Sequence, residues 1–165
     1  VERQDIRHRK LVVVVHCILN QNSRVSGLAT YPAVIDEVVD VLKKYNVSFL
    51  QMQCPELTYA GARRPRRSRA DYDRPRYRSL CRRIAFSTAC QIEEFAKDGV
   101  RTLALLGVKD SPSCDVSSSG EATGILVEEM RTALLEKGIR IPYHAVDVCN
   151  VAADVEWLEN ILRQG

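Results

Sequence analysis

Apolar and polar positions change period several times along the chain. Leu11–His16 is a nearly unbroken β-branched run, the pattern of a strand buried on both faces. After Thr30-Tyr-Pro32 the spacing turns helical, with Val34, Ile35, Val38, Val39, Val41 and Leu42 as the apolar side. Val47–Met52 predicts a second strand, and Gln53–Tyr72 a long loop. Asp73-Arg-Pro75 predicts the start of a helix that reaches Asp98 and stops at Gly99. Its apolar face is Tyr77, Leu80, Cys81, Ile84, Ala85, Thr88, Ile92 and Phe95. Thr102–Leu106 predicts the third strand. Ser118-x-x-Glu121 reads as a capping box for a helix to Lys137, closed by Gly138. Ile139–Val146 predicts the fourth strand, with Pro142 placing it at an edge, and Val151–Leu162 the last helix.

Alternating strands and helices predict an α/β fold: a single-domain, Rossmann-like three-layer sandwich. Its parallel sheet has four strands in the order 2-1-3-4, with helices on both faces. Ligands in such sheets bind outside the carboxyl ends of the strands, at the switch point, which here falls between strands 1 and 3. No repeat or low-complexity linker divides residues 1–165. They read as one domain with a basic N-terminal extension (1–10) and an arginine-rich loop (61–72).

Composition narrows the class. Hydrophobic residues at 45% and charged residues at 27% of 165 exclude disorder, collagen and coiled coil. The longest apolar run, Leu11 to Val15, is far short of the roughly 20 residues that cross a bilayer. The first ten residues lack the apolar stretch of a signal peptide. The expectation is a soluble cytoplasmic protein without membrane contact. Charge is unevenly spread: the formal total is +3, but residues 63–83 hold ten arginines against Asp71 and Asp73. That band is +8 and the remainder −5. Arginine's planar fork suits phosphate and carboxylate. The band therefore reads either as an anion or RNA contact, with tRNA a possible partner for residues 63–83, or as a solvated surface.

Six cysteines stand at 17, 54, 81, 90, 114 and 149, none with Cys-x-x-Cys spacing. In a reducing compartment they are not expected to form structural disulfides. Cys17 follows strand 1 directly, Cys54 lies two residues beyond strand 2, and Cys114 lies in the loop after strand 3. These strands are neighbours, so the three thiols should meet at the carboxyl edge. Three thiols on an open rim make a soft-metal site. With no obvious fourth ligand they suit an iron–sulfur cluster that leaves one iron free. Cys149, after strand 4, is a candidate fourth ligand or a packing group. Cys81 reads as core, Cys90 as incidental, and His16 and His144 as structural histidines. Polar residues flank the thiols: Asn20, Asn22 and Arg24 after Cys17, Glu56 after Cys54, and Ser111 and Ser113 before Cys114. A carboxylate beside such a site can do general acid–base work.

These segments resemble the thiouracil desulfurase (TudS-like) desulfidases. The first match is Cys17-Ile-Leu-Asn-Gln-Asn-Ser-Arg24-Val-Ser-Gly27: cysteine, an aliphatic pair, arginine seven residues on and glycine ten on. The second is Cys54-Pro-Glu56 with an Arg/Pro-containing loop after it, and the third is Ser111-Pro-Ser-Cys114. Together they span residues 11–120 in the family's order. Asn20 stands where the family usually has glycine, Val25-Ser26 where it has Tyr-Asp, and Asp115 where it has glycine.

The resemblance implies a [4Fe–4S] cluster held by Cys17, Cys54 and Cys114, whose open iron binds the sulfur of a thiouracil-type substrate. It implies Glu56 as acid/base and Ser111 or Ser113 as hydrogen-bonding groups to the substrate. Asn20, Asn22, Arg24, Arg63 and Arg64 then line the substrate side. The expected partner is a small thiolated base or nucleotide. Two other classes remain: an RNA-contacting or sulfur/cluster carrier without turnover, and a closed zinc site using Cys17, Cys54, Cys114 and Cys149.

Overall fold

The computed structural model describes residues 4–117 and 123–165. The β-branched run forms β1 (Lys10–Val14), in which Val12, Val13 and Val14 are wholly buried. β1 pairs in parallel with β2 (Ser48–Gln51) on one side and β3 (Arg101–Val108) on the other. β3 pairs in parallel with β4 (Tyr143–Val146). The order is therefore β2-β1-β3-β4, as the alternation of elements predicts. Among the described residues seven helices connect or follow the strands: α1 (His16–Leu19), α2 (Asp36–Lys44), α3 (Pro55–Ala60), α4 (Arg69–Tyr72), α5 (Pro75–Lys97), α6 (Ile125–Glu136) and α7 (Ala152–Gln164). α5 packs on α6 and α2 on α7, which sorts the long helices into two pairs, one per layer. No helix among the described residues is long and apolar enough to cross a membrane.

Several boundaries differ from the pattern, each for a local reason. The segment 53–72 is not a loop: Pro55 occupies the first turn of α3, and a capping box from Ser68 to Asp71 starts α4. α2 begins at Asp36 instead of after Thr30-Tyr-Pro32. The backbone there is already committed, with Ala33 O accepting from Gln21 N and Ile35 N donating to Ile18 O. β4 begins only after Pro142, which has no N–H for the ladder, although its carbonyl accepts from Leu105 N. α5 runs almost to its predicted end, but no residue after Ile92 is buried. Its last turn overhangs the core and leaves Phe95 exposed.

α6 starts at Ile125, and the expected capping box at Ser118 and Glu121 lies outside the described residues. Its first N–H groups are satisfied by the loop after β3: Ile125 N donates to Pro112 O, and Leu126 N and Val127 N to Ser113 O. The loop that carries Cys114 is thus fastened to the head of α6.

Candidate functional site

The three strand ends that carry cysteines lie side by side at the carboxyl edge. Cys17 sits in the first turn of α1, immediately after β1. Cys54 caps α3, its Sγ accepting from Leu57 N at 3.4 Å. Cys114 is buried in the loop after β3, where its N–H donates to Ser111 Oγ at 3.1 Å. Two glycines let that loop lie close. A Cβ on Gly107 of β3 would stand 2.1 Å from Cys114 O, and one on Gly124 would stand 2.2 Å from the Ser113 carbonyl carbon. Asp115 pins the loop from below: its carboxylate is buried and accepts from Asp110 N, Ser117 N and Ser117 Oγ.

The thiols affect one another. Burial pushes Cys17 up to about 11, opposed by the Arg24 guanidinium and aided by Cys54 and Glu56. Cys54 is raised by burial, against the hydrogen bond from Leu57 N. Cys114 is held well above the ordinary thiol range by burial, then by the charges of Cys17, Cys54, Glu56 and Cys81. Each thiol thus resists ionisation beside the others, whereas a coordinated soft metal ion takes thiolates outright. Among the described residues, no three His, Cys, Asp or Glu side chains are gathered as a single metal ion requires. Cys149 is exposed. Cys81, buried on α5, also acts on Cys114.

Glu56 lies where the three loops meet. Ser113 Oγ donates to its Oε1 at 2.9 Å, and Arg64 Nε to its Oε2 at 3.3 Å. Because Ser113 donates its one proton to Glu56, the 2.6 Å contact with Tyr77 Oη has the tyrosine as donor. The chain Tyr77–Ser113–Glu56 is buried at its first two members. Arg64 is 6% exposed and fully engaged, donating also to Gly61 O and Ser23 O. It braces the Cys17 and Cys54 loops and does not lie free at the mouth of the site. Tyr72 stacks on Tyr77 at 4.6 Å and feels the charge of Glu56.

Among the described residues, two buried polar atoms at this edge have no partner at hydrogen-bond distance: Arg24 Nε, in the electrostatic field of Cys17, and Tyr72 Oη, which lies in reach of the Arg64 guanidinium. An unsatisfied buried donor is uncommon and calls for a ligand. The other predicted polar residues are used locally. Asn20 accepts from Asn22 N and reaches His16 Nε2 at 3.5 Å, and Ser111 accepts from the backbone of Ser113 and Cys114. Asn22 is exposed. Tyr72 and Tyr77 carry no local motif. Their signal in the sequence is only their position on the helices that face the Cys114 loop.

The arginine band divides in two. Arg64, Arg69, Arg78 and Arg82 pair with Glu56, Asp73, Glu128 and Glu129, and Arg69 Nε also holds Thr123 O at 2.8 Å. Arg63, Arg66, Arg67, Arg74, Arg76 and Arg83 are exposed and make no ion pair among the described residues. Arg67 lies over the Tyr72 ring at 5.7 Å, which sets the exposed arginines of residues 63–67 next to the Glu56 neighbourhood.

The chain is similar to an archaeal protein. The uncharacterized protein MJ0003 of Methanocaldococcus jannaschii is 33% identical over 147 residues, 86% of this chain and 92% of the relative. No family model matches the chain, and no solved structure does.

Proposed function

The chain belongs to the family of the archaeal protein MJ0003, and we propose that it is a desulfidase that replaces the sulfur of a thiocarbonyl, of thiouracil or thiouridine type, with oxygen. The observation that carries this reading is that the loops bearing Cys17, Cys54 and Cys114 converge on Glu56, through Ser113, Arg64 and the Ser23 carbonyl, with Arg24 Nε unpaired among the described residues. The three thiols would hold a [4Fe–4S] cluster. When bound, that cluster supplies a Lewis acid selective for sulfur.

The protein's own groups supply the rest. Glu56 takes the proton of a water that adds to the thiocarbonyl carbon; the C–S bond breaks, and sulfur leaves as sulfide. Thiocarbonyl plus water becomes carbonyl plus hydrogen sulfide, so no electron donor is needed. Ser113 and Arg64 each hold one oxygen of Glu56 and fix its direction. Tyr77 holds Ser113 in turn, and Arg24 and Tyr72 keep donors free for a bound ring.

The test is anaerobic reconstitution with iron and sulfide, metal and sulfide analysis, and a thiouracil-to-uracil assay. Replacing Cys17, Cys54 or Cys114 singly with alanine should clearly lower iron content, while Cys90→Ser and Cys149→Ser leave it unchanged. Bound zinc in place of iron, or iron unaffected by the three alanines, would overturn the reading.

The exposed arginines support a phosphorylated substrate, a thionucleotide or thiouridine in tRNA. Phosphate contacts weaken as salt rises, with a slope near −0.7 per contact on single strands. A thiouridine phosphate should outperform the free base at low salt and lose that advantage at high salt. Replacing Arg63, Arg66 and Arg67 together should remove the preference and spare thiouracil turnover. Arg64 is left intact because it holds Glu56. Identical salt responses for base and nucleotide would reduce these arginines to a solvated surface.

A further inference from the structure

We propose that Arg24 is the counter-ion of the Cys17 thiolate: once the three thiols are coordinated, its Nε–H donates to Cys17 Sγ. The inference rests on the cluster reading above and adds to it a group that holds the cofactor without ligating it. Arg24 is half-buried. Its Nε is sealed from solvent and has no partner, and its guanidinium makes no ion pair among the described residues. A guanidinium is a permanent cation, and a cation taken out of water is normally paired. Glu56 is engaged elsewhere, accepting from Ser113 Oγ on one oxygen and from Arg64 Nε on the other.

The loop after β1 places Arg24 for this role. Gln21 folds the turn back, donating from Nε2 to Cys17 O at 2.7 Å, and Arg24 N donates to Gln21 O at 3.1 Å. The preceding carbonyl, Ser23 O, is held by Arg64, which also holds Glu56. Arg24 therefore leaves the backbone where the Cys17 and Cys54 loops are braced together, and its charge is the cation that opposes burial at Cys17. The sulfurs differ in what they already receive. Cys54 Sγ accepts from Leu57 N at 3.4 Å. Cys17 Sγ receives no donor from another residue among the described residues. A neutral thiol accepts weakly, so Nε gains little from it. Coordination makes it a thiolate, and a hydrogen bond between charged groups is roughly twice as strong as a neutral one. The terminal nitrogens of Arg24 remain for a bound ring.

The full chain, compared with Arg24→Met and Arg24→Lys, tests this. Methionine keeps an apolar stem and removes the charge and the donors; lysine keeps the charge and loses the planar fork. After anaerobic reconstitution, Arg24→Met should lose iron to a chelator about 10–100-fold more readily than the parent, the usual worth of a group bonded to a metal ligand. Arg24→Lys should fall between. The reduction potential of the cluster should be more negative in Arg24→Met and nearer the parent in Arg24→Lys, because a cation beside the cluster favours its reduced form. Before reconstitution, the urea midpoint of Arg24→Met should equal or exceed that of the parent, since a cation without a partner has been removed; loss of a structural brace would lower it. A parent that takes up no iron overturns the cluster reading and this inference together. A parent that loads, beside an Arg24→Met variant of equal iron retention and potential, overturns this inference alone. So does a midpoint lowered before reconstitution. A variant that keeps iron and potential while its KM for thiouracil rises also overturns it, and gives Arg24 to the substrate.

Discussion

Glu56→Gln is expected to keep the iron content of the reconstituted protein and to lose about 10²–10⁴ in turnover, the usual worth of a general acid or base. The substitution preserves shape, and the surroundings can absorb it in one way. The amide oxygen turns to Arg64 Nε, which must donate. The amide nitrogen turns to Ser113 Oγ, which then points its own proton at Tyr77 Oη. Each hydrogen bond at 2.6–3.3 Å survives with the Ser113–Tyr77 bond reversed, so the loops stay in place and only the proton acceptor is gone. Iron and sulfide analysis beside steady-state assays makes the comparison. A carrier or binding protein without turnover has no rate to lose, so an unchanged iron content with abolished turnover separates the enzyme from that class. A loss under tenfold would leave Glu56 as a brace and assign the base role to another group.

Gly124→Ala should cost about 3 kcal/mol or more, at or beyond the upper end of ordinary overpacking. The added methyl would stand 2.2 Å from the Ser113 carbonyl carbon, 2.3 Å from Cys114 N and 2.4 Å from Ser113 O. All three are backbone atoms, so no side-chain rotation relieves the contact. Either the Cys114 loop lifts or the head of α6 moves, and either motion strains the bonds from Ile125 N to Pro112 O and from Leu126 N to Ser113 O. Gly107→Ala presses on Cys114 O from the strand side and should act alike. Domains of this size are stable by only about 5–15 kcal/mol, so a lowered urea midpoint should be plain in equilibrium unfolding. Iron retention should fall as well, because the displaced Cys114 is one of the three proposed ligands. A variant with an unshifted midpoint would mean that the loop yields freely and that its close packing is incidental.

The architecture was legible because it rests on long-range periodicity. The apolar run at 11–15, the helical pattern of 75–97 and the spacing of the strands lead to the order β2-β1-β3-β4, and parallel topology then brings the three cysteine-bearing loops to one edge. What escaped depended on contacts between distant residues. Arg64 reads in sequence as one of ten like charges; only folding sets it against Glu56 and the Ser23 carbonyl, 41 residues away. Cys81 reads as core and is core, yet it also neighbours Cys114. The two short helices within residues 53–72 had local signals, Pro55 in a first turn and Ser68 three residues before Asp71. The density of arginine and proline there obscured them. The cap of α6 could not be read locally, because carbonyls of the preceding loop satisfy its first N–H groups.

The order of the strands also governs when the site can come into being. Cys17, Cys54 and Cys114 belong to three successive strand-to-helix units, 37 and 60 residues apart, and no unit holds two of them. During synthesis a nascent chain cannot bring the three thiols together until the third strand is paired and its loop has closed on α6. Whatever the three thiols bind is therefore captured by the folded domain and by no fragment of it. Binding restricted to the native state stabilises that state by mass action, and here it ties together loops whose closure entropy grows with their length. On the proposed function, cluster loading becomes a late checkpoint on folding: an occupied site would certify that the whole sheet has been built.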